Sequence, residues 1–84
     1  MADIKADEAL WVSAMTPEGI LERWLIADGS GVTAGDPVVE LRIEGALHEI
    51  VTSGSGRLAI LAPQNSVVEP GFLLATVSPF GTGE

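Results

Sequence analysis

The sequence predicts an all-β domain, a small sandwich or barrel, and three observations support this. Short apolar runs are separated by turns rich in Gly, Pro and Ser, at about the 8–12-residue spacing typical of small sandwiches. Two stretches of the chain repeat one another. The total length of 84 residues suits one small domain, whose stability should be modest because such a domain buries only about 60–65% of its unfolded surface.

The internal repeat is the most informative of these observations. Residues 32–41 have the pattern V-x-x-G-x-x-apolar-x-x-apolar, and residues 68–77 have it again 36 residues later. Gly19 and Gly56 open the strand that precedes each copy. Neither half can bury its apolar face alone, so two halves packed face to face would close a core by pseudo-two-fold symmetry. The link between them, residues 44–46, is then an exposed hairpin at one end of the sandwich.

The elements follow in chain order. Residues 1–8 are polar and acidic and predict a flexible N-terminal tail, residues 9–77 form the domain, and residues 78–84 predict a flexible C-terminal tail. Periodicity alone would allow a helix at residues 20–27, but Pro17, Gly19 and the Asp28-Gly29 stop favour a strand. Strands are predicted at residues 9–13, 20–27, 38–43, 47–52, 57–62 and 72–77.

Composition and charge exclude several classes of function. The net charge of −8, from 12 acidic against 4 basic residues, argues against nucleic acid and anionic membranes as partners, and it favours a soluble monomer. The absence of cysteine excludes disulfides, thiolate metal sites and a cysteine nucleophile. We expect no signal peptide, because the N-terminus is polar and acidic, and no apolar run approaches the roughly 20 residues of a membrane span. We therefore expect a cytoplasmic module.

Several short glycine-containing and apolar segments of the chain resemble, in sequence and spacing, those of the lipoyl and biotinyl carrier domains. The likeness covers roughly residues 11–77 and is carried by residues 16–19, 24–26, 28–37, 38–41, 49–50, 55–56 and 68–71. In that family the strand after a Gly-Asp turn ends in a hairpin that bears a modified lysine. The resemblance implies a barrel-sandwich hybrid of two four-stranded antiparallel sheets, which agrees with the internal repeat.

The chain departs from the family at the hairpin. Lipoyl domains carry Asp-Lys-Ala at the tip and biotinyl domains carry Met-Lys-Met, and the corresponding residues here are Glu44, Gly45 and Ala46. Attachment needs an amine, which glycine lacks, and the chain's one lysine, Lys5, falls in the predicted tail. We therefore expect no lipoyl or biotinyl cofactor. The absence of a Met-Lys-Met environment favours a lipoyl over a biotinyl ancestry.

No constellation of residues predicts catalysis or metal binding. His48 is the only histidine, and it is expected to be an ordinary strand residue without the companions that a metal site requires. The Ser53–Gly56 stretch lacks the lysine and helix of a phosphate loop and is expected to be a turn. Trp11 and Trp24 are expected to pack in the core. The chain is not expected to be an enzyme.

The remaining candidate site is the hairpin itself, composed of Glu44, Gly45, Ala46, Leu47 and Glu49. Leu47 is expected to be the first core residue of the returning strand, and the alternative is a contact residue. By resemblance, the protein partners would be components of 2-oxoacid dehydrogenase complexes or of biotin-dependent carboxylases. We expect a non-catalytic interaction or structural module. The alternatives are a carrier that holds a small or acyl ligand non-covalently or through Lys5, and a scaffold piece of a carboxylase-type assembly.

Overall fold

The computed structural model describes residues 2–79, which form two four-stranded antiparallel sheets. The strands are β1 (Ala2–Lys5), β2 (Gly19–Trp24), β3 (Gly31–Val32), β4 (Pro37–Ile43), β5 (Ala46–Val51), β6 (Gly56–Ile60), β7 (Val67–Val68) and β8 (Leu73–Ser78). One sheet has the order β1-β8-β6-β3 and the other β5-β4-β2-β7. This architecture confirms the predicted all-β sandwich.

The two sheets are related by the predicted pseudo-two-fold symmetry. In the first sheet Ile4 lies opposite Ala75, and in the second Ile50 lies opposite Val39, with the register shifting next to each pair. Strand β5 is thus the counterpart of β1, β4 of β8, β2 of β6 and β7 of β3. The repeat in the sequence is a repeat in the structure.

The core lies between the sheets and is built mainly from alternate strand residues, because successive side chains of a strand point to opposite faces. The consecutive buried residues Val38 and Val39 lie where the register of β4 with β5 shifts. Its largest fully buried side chains are Leu21, Leu41, Leu58 and Leu74, with valines at 38, 39, 68 and 77. Trp11 is buried as expected. Trp24 packs against the edge of the core and its Nε1 donates a hydrogen bond of 2.9 Å to the carbonyl oxygen of Ala62.

The prediction of an N-terminal tail over residues 1–8 is wrong where the structure can test it. Residues 2–5 form β1, which pairs with β8, and Ile4 and Ala6 are buried. The polar residues Asp3 and Lys5 alternate with these two, so the segment reads as polar although every second side chain faces the core. Met1 lies outside the described residues. Lys5 is therefore an exposed strand residue, not part of a tail.

Other boundaries also differ from the prediction. Where a strand was expected at residues 9–13, Glu8–Trp11 form a short 3₁₀ helix capped by Asp7, whose carboxylate accepts a hydrogen bond of 3.0 Å from the amide of Ala9. The predicted strand over residues 20–27 ends at Trp24. Ser78, assigned to the C-terminal tail, ends β8, and residues 80–84 of that tail lie outside the described residues. The four other predicted strands are confirmed to within two residues.

Strands β3 and β7 were not predicted. Each has two residues, too few for any period to show in the sequence. Val32 of β3 pairs with Gly56, and Val68 of β7 pairs with Gly19, so the two short strands occupy equivalent positions in the two halves. Among residues 2–79, no helix has the length and apolar character that crossing a membrane would need.

Candidate functional site

The β4–β5 hairpin turns in two residues, Glu44 and Gly45, between the paired residues Ile43 and Ala46. Both turn residues have positive φ angles, 51° for Glu44 and 84° for Gly45. Two positive φ values in a two-residue loop are the signature of a type I′ turn, whose twist matches that of the flanking strands. The predicted hairpin is therefore present, with Gly45 at its second turn position.

Glu44 is an unusual residue at a positive φ angle, because its Cβ crowds the backbone there. Its carboxylate makes two contacts that offset this strain. Oε2 accepts a hydrogen bond of 2.6 Å from the amide of Met15 and another of 3.0 Å from the amide of Thr16. A carboxylate that accepts from two backbone amides makes charge-assisted bonds, which are stronger than neutral ones. Glu44 thus fastens the β1–β2 loop (residues 6–18) to the tip of the hairpin.

The turn leaves space for a side chain at position 45. A Cβ built on Gly45 would have no other atom within 4 Å, so a side chain there would project into solvent. The constraint on that position is the backbone angle, which favours glycine.

All five residues of the predicted hairpin site are exposed. The expectation that Leu47 is a core residue is wrong, because its side chain is 52% exposed. The half-buried residues of β5 are His48 and Ile50, and by strand alternation Leu47 and Glu49 point to the outer face. Leu47 is therefore available for contact.

The β1–β2 loop adds residues that the sequence did not place at the site. Its side chains at Val12 and Met15 are 86% and 91% exposed. Met15 is bonded to Glu44 through its backbone, so its apolar side chain lies near the hairpin turn. The sequence could not reveal this neighbourhood, since Met15 and Glu44 are 29 residues apart and the contact is made by a backbone amide.

A small cavity of about 200 Å³ lies between this loop and the hairpin. It is mostly apolar and is lined by Leu10, Ser13, Ala14, Ile43, Glu44, Ala46 and His48. The half-buried His48 is thus a lining residue. Within residues 2–79, no three His, Asp or Glu side chains are grouped closely enough to hold a metal ion.

The outer face of the sheet that carries the hairpin has paired charges. Arg42 Nε lies 2.9 Å from Glu22 Oε1, and Arg23 Nε lies 2.9 Å from Glu40 Oε1. The hydrogen bond from Arg42 lowers the pKa of Glu22, and the same bond raises the pKa of Arg42. The acids Glu44 and Glu49, in contrast, face no arginine in an ion pair among the described residues.

Known proteins share part of this sequence and the whole of this fold. A segment of 56 residues, 66% of the chain, is 38% identical to the dihydrolipoyllysine-residue acetyltransferase component of the pyruvate dehydrogenase complex of Zymomonas mobilis. The solution structure of the lipoyl domain of the 2-oxoglutarate dehydrogenase complex from Azotobacter vinelandii matches with a TM-score of 0.76, over 96% of this chain and 100% of that one, at 22% identity. The chain is a lipoyl/biotinyl-type domain.

The relationship of this domain to dihydrolipoamide acyltransferases and the barrel-sandwich fold are both confirmed by these matches. No protein-family model matches the chain. The chain spans 13% of the length of the acetyltransferase component, so the likeness concerns one domain of that protein.

Proposed function

We propose that this lipoyl-type domain has lost its attachment lysine and acts, without catalysing a reaction, as a protein-interaction or structural module. The observation that carries the proposal is the hairpin turn, where Gly45 occupies the exposed position and adopts a φ angle of 84°. Glycine has no amine to acylate. Lys5, the one lysine of the chain, belongs to a β1 strand in the opposite sheet, so it does not replace the missing residue.

The shape of the hairpin does not depend on a prosthetic group. It is stabilised by Glu44, whose carboxylate accepts hydrogen bonds from the amides of Met15 and Thr16. We group the exposed residues of this end of the molecule as the hairpin surface: Glu44, Leu47 and Glu49 of the hairpin, with Val12 and Met15 of the loop that Glu44 holds. Apolar residues rimmed by charge are typical of protein-binding surfaces.

The partner proposed for the hairpin surface is a component of a 2-oxoacid dehydrogenase-type complex with basic residues around an apolar patch. Two lines support it: the identity shared with the acetyltransferase component and the match to a lipoyl domain of such a complex. The acidic chain, with a net charge of −8, complements a basic partner. We expect the domain to be a monomer on its own and to act in the cytoplasm, without bound lipoate or biotin.

Two pairs of variants test the hairpin surface, each with a matched control elsewhere. Glu44→Lys is paired with Glu69→Lys, an exposed acid in the turn before β8, and Leu47→Asp is paired with Leu61→Asp, which is 56% exposed against 52% for Leu47. Each tagged protein captures partners from native lysate, and mass spectrometry identifies them. We expect a 2-oxoacid dehydrogenase component to be recovered by wild type and both controls, and lost with both hairpin variants.

Two results would contradict the proposal: capture of no such component, or capture that is equally strong with Glu44→Lys and Leu47→Asp. Circular dichroism of each variant shows whether a loss of binding reflects unfolding. Glu44→Gln keeps the shape of the side chain and separates its charge from its hydrogen-bonding role.

A second candidate function is a non-covalent carrier of a small or acyl ligand, favoured by the cavity beside the hairpin. Its volume of about 200 Å³ and its apolar lining suit a small aliphatic group. Titration of ¹⁵N-labelled protein with free lipoate, and separately with biotin, distinguishes the two functions. Saturable shifts at the amides of Ala14, Ala46 and His48 would favour the carrier, and unchanged amides would exclude these two ligands.

A further inference from the structure

A second concave surface lies away from the hairpin turn, where the two sheets meet along their free edges. It is a groove of about 560 Å³, here called the seam groove, lined mainly by β1, by the start of the β1–β2 loop and by β5. Strand β1 ends one sheet and β5 ends the other, and the two strands are counterparts under the pseudo-two-fold symmetry. The groove thus runs between equivalent edges of the two halves.

Both walls of the seam groove are edge strands. Among residues 2–79, β1 pairs only with β8, and β5 pairs only with β4. Each therefore has one side on which backbone amides and carbonyls have no partner strand. Such an edge is a template for an added strand, and proteins that leave one uncovered often use it to bind an extended peptide.

The floor of the groove is apolar. Ile4 and Ala6 are buried at its base, and Ile50 is half-buried opposite them. Val51, which is 52% exposed, adds an apolar wall on the β5 side. An apolar side chain inserted here would remove both itself and Val51 from water.

The rim of the groove is acidic on the β1 side. Asp3, Asp7 and Glu8 line it together with one base, Lys5. Neither of the side-chain ion pairs among the described residues involves these acids. The whole chain is acidic as well, so the field around the groove attracts cations.

We propose that the seam groove binds an extended peptide segment in which Lys or Arg alternates with apolar residues. In an extended chain, alternate side chains point to opposite faces, so the apolar ones can enter the groove while the basic ones meet the acids on its rim. The length that fits is set by the longer wall, the six residues 3–8, which face Ile50 and Val51 of β5. This site is separate from the hairpin surface and does not depend on the absence of the lysine.

The probe is a synthetic peptide of alternating lysine and valine, capped at both ends and matched to the six lining residues 3–8. It is titrated into ¹⁵N-labelled protein, and amide shifts are followed at low salt and at physiological ionic strength. The counterpart peptide has glutamate in place of lysine. We expect saturable shifts confined to β1, residues 6–8 and the end of β5 at residues 50 and 51, and no shifts with the glutamate peptide.

A pair of variants with matched charge and exposure tests the location. Val51→Lys places a cation in the groove, whereas Val67→Lys places one at a valine that is also 52% exposed but does not line it. We expect Val51→Lys to weaken binding by about tenfold, or about 1.4 kcal/mol, and Val67→Lys to leave it unchanged.

Other results would overturn the inference. Equal weakening by the two variants would show that net charge alone attracts the peptide. Shifts confined to the hairpin residues 44–47 would place the binding site at the hairpin. Equal binding of the glutamate peptide would show that the acidic rim does not select basic side chains. Concentration-dependent shifts of β1 and β5 without peptide, accompanied by dimers in analytical ultracentrifugation, would make a second copy of the chain the occupant.

Discussion

The two halves of the molecule share a scaffold but differ in one connection. In the second half, residues 53–55 lead from Thr52 directly to Gly56, whereas in the first half residues 7–18 intervene between Ala6 and Gly19. The backbone before the divergence is the same: Thr52 bonds to residues 35 and 36, and Ala6 bonds to residues 71 and 72. The longer connection is the loop that Glu44 holds.

The residues from which the two connections start, Thr52 and Ala6, have different side chains, and the difference matches the length of each connection. The buried Thr52 hydroxyl donates to the carbonyl of Gly54 at 2.8 Å and lies 3.2 Å from its amide, which closes a short turn. Ala6 has no hydroxyl, and the next residue, Asp7, instead begins the 3₁₀ helix. The comparison shows that a symmetric scaffold becomes asymmetric through one loop, and that this loop lies at the hairpin.

The largest predicted effect concerns the glycines that open equivalent strands. Gly56 has a φ of 152°, and a Cβ there would overlap the backbone carbonyl of Ser78, so Gly56→Ala should cost more than about 3 kcal/mol or prevent folding. At Gly19 a Cβ would lie 2.9 Å from Ile43 Cγ1 and 3.2 Å from the Trp11 ring, as well as 3.1 Å from a backbone oxygen. Because the side chains can move, Gly19→Ala should cost about 1–2 kcal/mol.

Urea denaturation of the two glycine variants and wild type measures this difference. Equal losses of unfolding free energy would show that the tight backbone approach is not specific to the second half.

The next effect tests the link between loop and hairpin. Glu44→Ala removes the acceptor for the amides of Met15 and Thr16 and should cost about 1.5–3 kcal/mol, the range for a hydrogen bond to a charged group. Hydrogen exchange should accelerate at those two amides while the amides of β6 and β8 keep their protection. Unchanged exchange at residues 15 and 16 would contradict the assigned role of Glu44.

The two tryptophans predict a smaller contrast. Trp24 Nε1 donates to the carbonyl of Ala62, whereas the buried Nε1 of Trp11 has no hydrogen-bond partner among the described residues. Trp24→Phe should therefore lose about 1 kcal/mol for the bond, and Trp11→Phe should recover part of its packing loss by removing an unsatisfied polar group. A greater loss for Trp11→Phe in thermal denaturation would indicate that packing dominates.

The smallest effect is that of pH on an exposed ion pair. Arg42 lowers the pKa of Glu22 below its ordinary value of 4.5, so the pair stabilises the fold above that value and the contribution is lost as the pH falls through the lower, folded-state pKa. Because the pair is exposed, Glu22→Gln should reduce the unfolding free energy only slightly at pH 7. The difference from wild type should vanish in acid. A difference that persists below the folded-state pKa would assign another role to Glu22.

The sequence predicts more of the fold than of the site. The repeated Gly and Val positions indicate two halves, and the Glu44-Gly45 pair indicates the turn, because these features are local. Strand β1 was missed since its polar residues alternate with only two apolar ones, Ala2 and Ile4. The contact of Met15 with Glu44 and the exposure of Leu47 depend on how distant segments pack, which no local pattern records.

The most direct test of the central claim is intact mass spectrometry of wild type, Gly45→Lys and the double variant E44D/G45K, each co-expressed with lipoate and biotin ligases. Position 45 is open, but its φ of 84° disfavours lysine, so the double variant, which gives the Asp-Lys-Ala tip of lipoyl domains, tests whether that tip is modified where Gly45→Lys alone is not. We expect the wild type to remain unmodified and at least one lysine variant to gain one lipoyl group. A lipoyl or biotinyl group on the wild type would contradict the account, and failure of both variants would show that the hairpin no longer presents the surface that a ligase recognises.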